Sequence, residues 1–435
     1  MTTSPTAARL ERHAATVAAD LEAQDRAWDK GFTRRRFIQG VGMVGAAALG
    51  TQLVTTRAAY AAPAAPGATT TNSVIVVFLR GGCDGLRVVV PASSSLGFDY
   101  LTQVRPALLP AASTLLPLSG GWAANGNLAP LQPFWNSGEL AFVPAVSTSP
   151  ARSHSTAQRW LESGGDPSSS TGWLDRTLTA LGPGTTFRAV AEGYTMPDSL
   201  AGTQDKVLMD SLAAYSMPGW MPDYGADAIA ALYRGLDTPL AGKVNDTVGA
   251  LASAAAAQAT AGVQNGAVYP SNNSFANSLK DLATLLRAEV GLQIATVDVG
   301  GWDTHTDEAN DLDRNLLALS QSLAAFMTDL GPTRRSRVTV VVMSEFGRRV
   351  AQNASGGCDH GFGGLMWLLG GGLVSSQVAG QWAPLSDGVL DSGDVPGLNS
   401  PFDVLGEVLT SRVNLTLNLS IFPRQPVAPL GLFRA

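Results

Sequence analysis

The feature that most constrains this chain is a set of apolar runs that do not alternate. "SVIVVFLRGG" (73–82), a β-branched run, "ELAFVPAV" (139–146), "LQIATVDVGG" (292–301), "RVTVVVMSEFG" (337–347) and "GGLMWLLGGG" (363–372) are apolar without clean alternation. A strand with one wet face alternates apolar and polar residues, whereas a strand covered on both faces has no need to. The five runs therefore read as strands buried on both sides. Between them, "STAQRWLESG", "SFANSLKDLATLLRAEVG" and "LDRNLLALSQSLAAFMTDLG" carry helical spacing. This succession predicts an α/β sandwich, a mostly parallel sheet held between layers of helices. Residues 206–290 show few strand signals, and the Ala-rich "LASAAAAQATAG" (251–262) reads as helix. That part is expected to be a helical insertion or cap on a single domain spanning 73–435.

A chain of 435 residues with 45% hydrophobic and 15% charged residues has enough apolar material for a large core. Its net charge of −6, with no strongly basic interior block, argues against a nucleic-acid partner.

The N-terminus speaks to localisation. Arg34 and Arg35 precede Phe37 and Ile38, then comes a weakly hydrophobic Gly/Ala-rich run, then Arg57 and the small-residue site Ala59-Tyr60-Ala61. This order resembles a twin-arginine export signal over residues 1–61. The apolar run is too short and too rich in Gly and Ala for a stable membrane span. The export machinery is then a partner, and the mature chain, beginning with a flexible lead-in over 62–72, is periplasmic or extracellular. Twin-arginine export carries folded proteins, a route suited to one that acquires a metal inside the cell.

Functional groups of parallel sheets collect at the carboxyl ends of the strands. Here those ends read "RGGCDG", "STSPARSHS", "GGWDTH" and "SEFGRR". Apart from His13 in the signal region, the histidines are His154, His305 and His360, each in a Gly- or Ser-rich turn beside a potential ligand or nucleophile. Asp303 and His305, one residue apart, face the same way in an extended segment and can serve one ion. With Asp84, Glu345, Asp359 and His360, and with His154 nearby, they form an oxygen and imidazole set suited to one or two divalent ions such as Zn, Mn, Mg or Ca. Each residue also has a plainer role. Asp84 can cap a helix at Gly85, Glu345 can pair with Arg348 or Arg349, and Asp303 with His305 can form a polar turn. Thr148, Ser149, Ser153 and Ser155 are the hydroxyl candidates; Ser153 lies near a helix start, where backbone amides favour an anion. Arg80, Arg152 and Arg348 are candidates for binding a small phosphate or sulfate ester. Cys83 and Cys358 each precede an aspartate, and a disulfide between them would bring the loops of Asp84 and His360 together.

Taken in order, "FLRGGCDGL", "RSH", "GGWDTH", "SEFGRRV" and "GGCDHGFGG" resemble domain-of-unknown-function family 1501, from about residue 73 to the C-terminus. The resemblance implies an alkaline phosphatase-like or sulfatase-like fold and a metal-dependent hydrolase of phosphate or sulfate esters, or a non-catalytic exported binding or assembly protein that retains the fold. By the same resemblance Asp84 matches the first-strand metal aspartate, Asp303 and His305 a later ligand group, and His360 the last metal histidine. Ser153 is the nearest match to the nucleophile. Two departures stand out: Phe346 occupies a place where a ligand is usual, and "TSPAR" (148–152) mimics the sulfatase pattern with Thr148 first, which makes Thr148 a rival to Ser153.

Overall fold

The computed structural model describes residues 72–149, 151–216, 225–235, 239–416 and 420–434. The expected export signal with Arg34 and Arg35, and residues 62–71 of the lead-in, lie outside the described residues. Apart from Gly225, the described residues all belong to one compact unit.

Its centre is an eight-stranded sheet. The strands are β1 (Ser73–Leu79), β2 (Leu140–Val146), β3 (Ala189–Glu192), β4 (Val207–Met209), β5 (Ile294–Val299), β6 (Val338–Ser344), β7 (Gly364–Gly370) and β8 (Gln377–Val378). They lie in the order β8-β2-β7-β6-β1-β5-β3-β4. β7 pairs antiparallel with both neighbours, and every other pairing is parallel. The five expected strands form the contiguous middle of the sheet.

Two apolar faces explain the missing alternation. Val74, Val76 and Phe78 point to one face of β1, and Ile75, Val77 and Leu79 to the other; all six are buried. On the first face the sheet is covered by α1 (His154–Glu162), α2 (Trp173–Leu181) and the C-terminal helix Pro401–Val413, through Leu161, Leu174, Leu178, Phe402 and Leu405. On the other lie α3 (Pro239–Ala259), α4 (Ser274–Arg287) and α5 (Glu308–Arg335). Leu312, Leu316, Leu319, Leu323, Phe326 and Leu330 step along α5 by threes and fours and are all buried, the stripe of a helix with one face on a core. Truncating one of these leucines to alanine costs about 2–5 kcal/mol. Gly331, with φ 68°, breaks the helix after the stripe ends.

The expected insertion at 206–290 needs correction. Val207–Met209 is a strand of the sheet itself, and α4 packs on α5 as part of the covering layer. β3 and β4 escape a reading by hydrophobic pattern because four and three residues are too few to show one. Among the described residues, no helix is long and apolar enough to cross a membrane.

Candidate metal centre

One edge of the sheet gathers the carboxyl ends of β1, β2, β5 and β6. β7 runs the other way, so its amino end, preceded by His360, falls on the same edge. The single antiparallel strand is thus what lets a residue ahead of a strand join residues that follow strands. A short bridge between Arg348 and His360 closes the connection from β6 to β7 and fixes the height of the imidazole.

The loops approach closely enough to exclude side chains. A Cβ on Gly81 would lie 2.3 Å from the amide nitrogen of Asp303, and one on Gly82 would lie 2.3 Å from the ring of Phe346. Both glycines have positive φ, 130° and 81°, so the turn after β1 needs glycine for its backbone as well as its bulk. Phe346, itself buried, sits with ring centroids 5.0 Å from His154 and 4.5 Å from His360. It stands beside the imidazoles as a wall.

Three imidazoles turn Nε2 toward Asp303. Asp303 Oδ1 lies 3.1 Å from His360 Nε2 and 3.2 Å from His305 Nε2, and Oδ2 lies 3.4 Å from His154 Nε2. The Nε2 atoms of His305 and His360 are 3.0 Å apart. The other ring nitrogens face acceptors. Nδ1 of His360 meets the carbonyl of Arg152 at 2.9 Å, Nδ1 of His154 meets Glu345 Oε1 at 2.9 Å, and Nδ1 of His305 meets Asp359 Oδ1 at 3.4 Å. A carbonyl or carboxylate can only accept, so each Nδ1 is placed to donate outward, which leaves each Nε2 facing the Asp303 carboxylate.

Two Nε2 atoms 3.0 Å apart share either a proton or a cation. Ligands about 2.0–2.1 Å from a tetrahedral ion lie about 3.3 Å from one another, close to the 3.0–3.4 Å seen here. Outer nitrogens held by carboxylates or carbonyls are the usual companions of metal-bound histidines. The donor set of His154, Asp303 and His360, whose ligand atoms all lie within 4.8 Å of one another, therefore fits a divalent ion, and His305 Nε2 adjoins His360 and Asp303 beside it. The side chains of Asp303 and His305 are 47% and 40% exposed, so the centre opens to solvent.

The remaining expected ligands stand behind this group or apart from it. Glu345 is fully buried; besides His154, its Oε1 accepts from the Gly81 amide at 2.9 Å and from Gln158 at 2.8 Å. It meets the outer nitrogen of His154 and is not among the atoms that converge on Asp303. Gln158, one turn along α1 from His154, went unnoticed in the sequence. Asp359 is exposed and serves the outer nitrogen of His305. Asp84 lies in a separate buried group with Glu308 and Cys358.

The arginines divide as well. Arg348 is buried and donates to Asp303 Oδ1 at 2.7 Å, and to the carbonyls of Gly81, Gly82, Trp302 and Cys358. Burial alone would raise the Asp303 carboxyl, but hydrogen bonds from Arg348 and His360 outweigh it and hold the group at about 2. The guanidinium of Arg80 is bound by Glu162 and Asp298, and that of Arg152 by Asp394. Carboxylates thus engage all three arginines expected to bind substrate.

Of the hydroxyls, Thr148 is buried and donates to the carbonyl of Phe362 at 2.9 Å. Its hydroxyl faces the interior rather than the open group of histidines. Ser153 is exposed at the N-cap of α1, immediately before His154, with no capping bond from its side chain. The possible disulfide is not formed: Cys83 and Cys358 are both free and buried. Cys358 Sγ instead takes an N–H of Arg105 at 2.8 Å.

Asp84 Oδ2 pairs with Arg105 at 2.7 Å, both groups fully enclosed, and Oδ1 accepts from the Leu86 amide at 3.3 Å. Glu308, the first residue of α5, has neither oxygen accepting a hydrogen bond. Burial, and after it the charge of Asp84, pushes its carboxyl up to about 9. Glu308 and Arg105 were not singled out in the sequence. An acid at a helix start reads as an ordinary partner of the helix dipole, and "TQVRPALLP" carries no motif.

A family model described as protein of unknown function (DUF1501) matches residues 137–402. The match begins after β1, so "FLRGGCDGL" falls outside it. No curated protein matches the chain. Among solved structures, the chain is similar to the C-terminal periplasmic domain of EptC from Escherichia coli in complex with Zn, at 10% identity and a TM-score of 0.33, over 72% of this chain and 76% of that one. It is also similar to the lipoteichoic acid synthase LtaP from Listeria monocytogenes, at 9% identity and a TM-score of 0.33, over 85% of this chain and 78% of that one.

Proposed function

From the premise that the chain belongs to the DUF1501 family, we propose that it is an exported, metal-dependent hydrolase of phosphate or sulfate esters. The observation that carries this reading is the convergence of three Nε2 atoms on Asp303, with every Nδ1 against an acceptor. A divalent ion held there supplies Lewis acidity and lowers the pKa of water. Arg348 keeps Asp303 ionised and aimed, while Glu345, Asp359 and the Arg152 carbonyl keep the three imidazoles in the tautomer that leaves Nε2 free. Ser153 offers an exposed hydroxyl next to His154, at a helix end whose amides favour an anion. Export is supported by the Arg34-Arg35 signal and the Ala59-Tyr60-Ala61 site in sequence.

A second reading, an exported metal-holding protein without turnover, is favoured by one observation: the arginines that would grip an anion are already engaged by carboxylates. The test is metal content of the purified chain together with turnover of aryl phosphates and sulfates under added Zn, Mn, Mg or Ca. The hydrolase reading expects a bound ion that Asp303→Ala abolishes and turnover that Ser153→Ala removes. A bound ion with no turnover of any ester supports the second reading. No ion in the wild-type chain defeats both.

A further inference from the structure

The described residues hold a second group with metal-ligating chemistry. Oxygens of Asp84 and Glu308 and the sulfur of Cys358 lie within 4.8 Å of one another, all buried. Two carboxyls and a thiol at that spacing would suit a borderline divalent ion. The space among them is taken by protein. Arg105, itself fully buried, places Nη1 2.7 Å from Asp84 Oδ2 and Nη2 2.8 Å from Cys358 Sγ. The same guanidinium donates Nε to the Val350 carbonyl at 2.7 Å and Nη2 to the Arg349 carbonyl at 3.0 Å.

We infer that the guanidinium of Arg105 is the resident cation of the Asp84–Glu308–Cys358 cluster, so that the chain takes one divalent ion, at the histidines, and holds a second metal position closed with its own side chain. Two features support this. Four acceptors converge on one planar group, which orders Arg105 as a fixed part of the interior. Both oxygens of Asp84 also accept hydrogen bonds, one from Arg105 and one from the Leu86 amide, and the guanidinium occupies the side of Oδ2 that an ion shared with Cys358 would need. Charge agrees with geometry, since one guanidinium balances one carboxylate and Glu308 remains neutral beside them. Removing the guanidinium would leave two carboxyls and a thiol around a space of similar size, an unmasked metal site.

This inference rests on the histidine cluster being a metal centre, and the experiment separates the two. The purified chain is stripped with a chelator, reloaded with Zn or Mn, and assayed for metal per chain by mass spectrometry, with thermal melting in parallel. One ion is expected in the wild type and in Asp84→Asn, because Asp84 holds Arg105 rather than the ion. Two are expected in Arg105→Ala, with added metal raising its Tm, and one in Arg105→Lys. Two ions in the wild type, loss of the ion in a folded Asp84→Asn, or a folded Arg105→Ala that still takes one, would each overturn the inference. No ion in the wild type refutes the histidine reading instead. If Arg105→Ala fails to fold, the wild type, Asp84→Asn and Arg105→Lys decide.

Discussion

Two polar clusters lie within this fold and are built on opposite principles. The histidine cluster is half open, its polar atoms aim inward, and its partners stand behind it on the outer nitrogens. The Asp84 cluster is sealed, and its charge is balanced from within by Arg105. Arg348 lies between them, bonded to Asp303 on one side and to the Cys358 carbonyl on the other. The difference separates two uses of the same residue types. An open, underbalanced set of donors is arranged for something that arrives, whereas a closed and balanced set holds loops together.

Mutations should break the sealed cluster through stability and the open one through binding. Arg105→Ala leaves a buried carboxylate without its counter-ion, and breaking such a pair costs about 3–5 kcal/mol. A large fall in Tm is expected for the metal-free protein. Asp303→Asn, at a half-exposed position, should lower Tm far less while removing the bound ion. Equal Tm losses in the two variants would erase the distinction between a structural and a binding cluster.

Glu345 probes the boundary between the two principles, since it is as buried as Asp84 yet serves the open site. Glu345→Gln keeps the shape of the side chain but no longer presents a charged acceptor to His154. Loss of such an outer partner typically weakens metal binding about 10–100-fold. The expected result is a higher Kd for Zn in a chelator competition with the ion still bound at saturation. An unchanged Kd would show that the tautomer of His154 is set by something other than Glu345.

The sequence showed the centre of this molecule better than its margins. β1, β2, β5, β6 and β7 were legible because burial on both faces writes itself as an unbroken apolar run. β3 and β4 were not, because strands of four and three residues are too short to show a period. His154, Asp303, His305 and His360 stood out by rarity and by glycine-rich surroundings. The roles of Glu345 and Asp359 did not, because a ligand and the group that orients a ligand are the same residue types. The two cysteines, each before an aspartate, left a pairing open, and the structure has an arginine–thiol contact in its place. Arg105 and Glu308 gain their meaning only from positions 21 and 224 residues from Asp84 that meet in space, which a linear pattern does not record.

The effect most specific to the sealed cluster concerns Glu308 and pH. Its carboxyl is raised to about 9 in the folded chain, by burial first and by the charge of Asp84 second. In the unfolded chain an ordinary Glu titrates near 4.3. Between these values the folded chain keeps a proton that the unfolded chain has released, so this group makes stability fall as pH rises. Its contribution is complete below about pH 4.3 and is lost progressively toward pH 9. Glu308→Gln, neutral at every pH, removes the slope. Melting of the chelator-treated protein between pH 5 and 8.5 should therefore show a wild-type Tm that declines relative to that of Glu308→Gln as pH rises. Parallel curves would mean that Glu308 is ionised throughout, and the charge balance assigned to Arg105 would then have to include a second carboxylate.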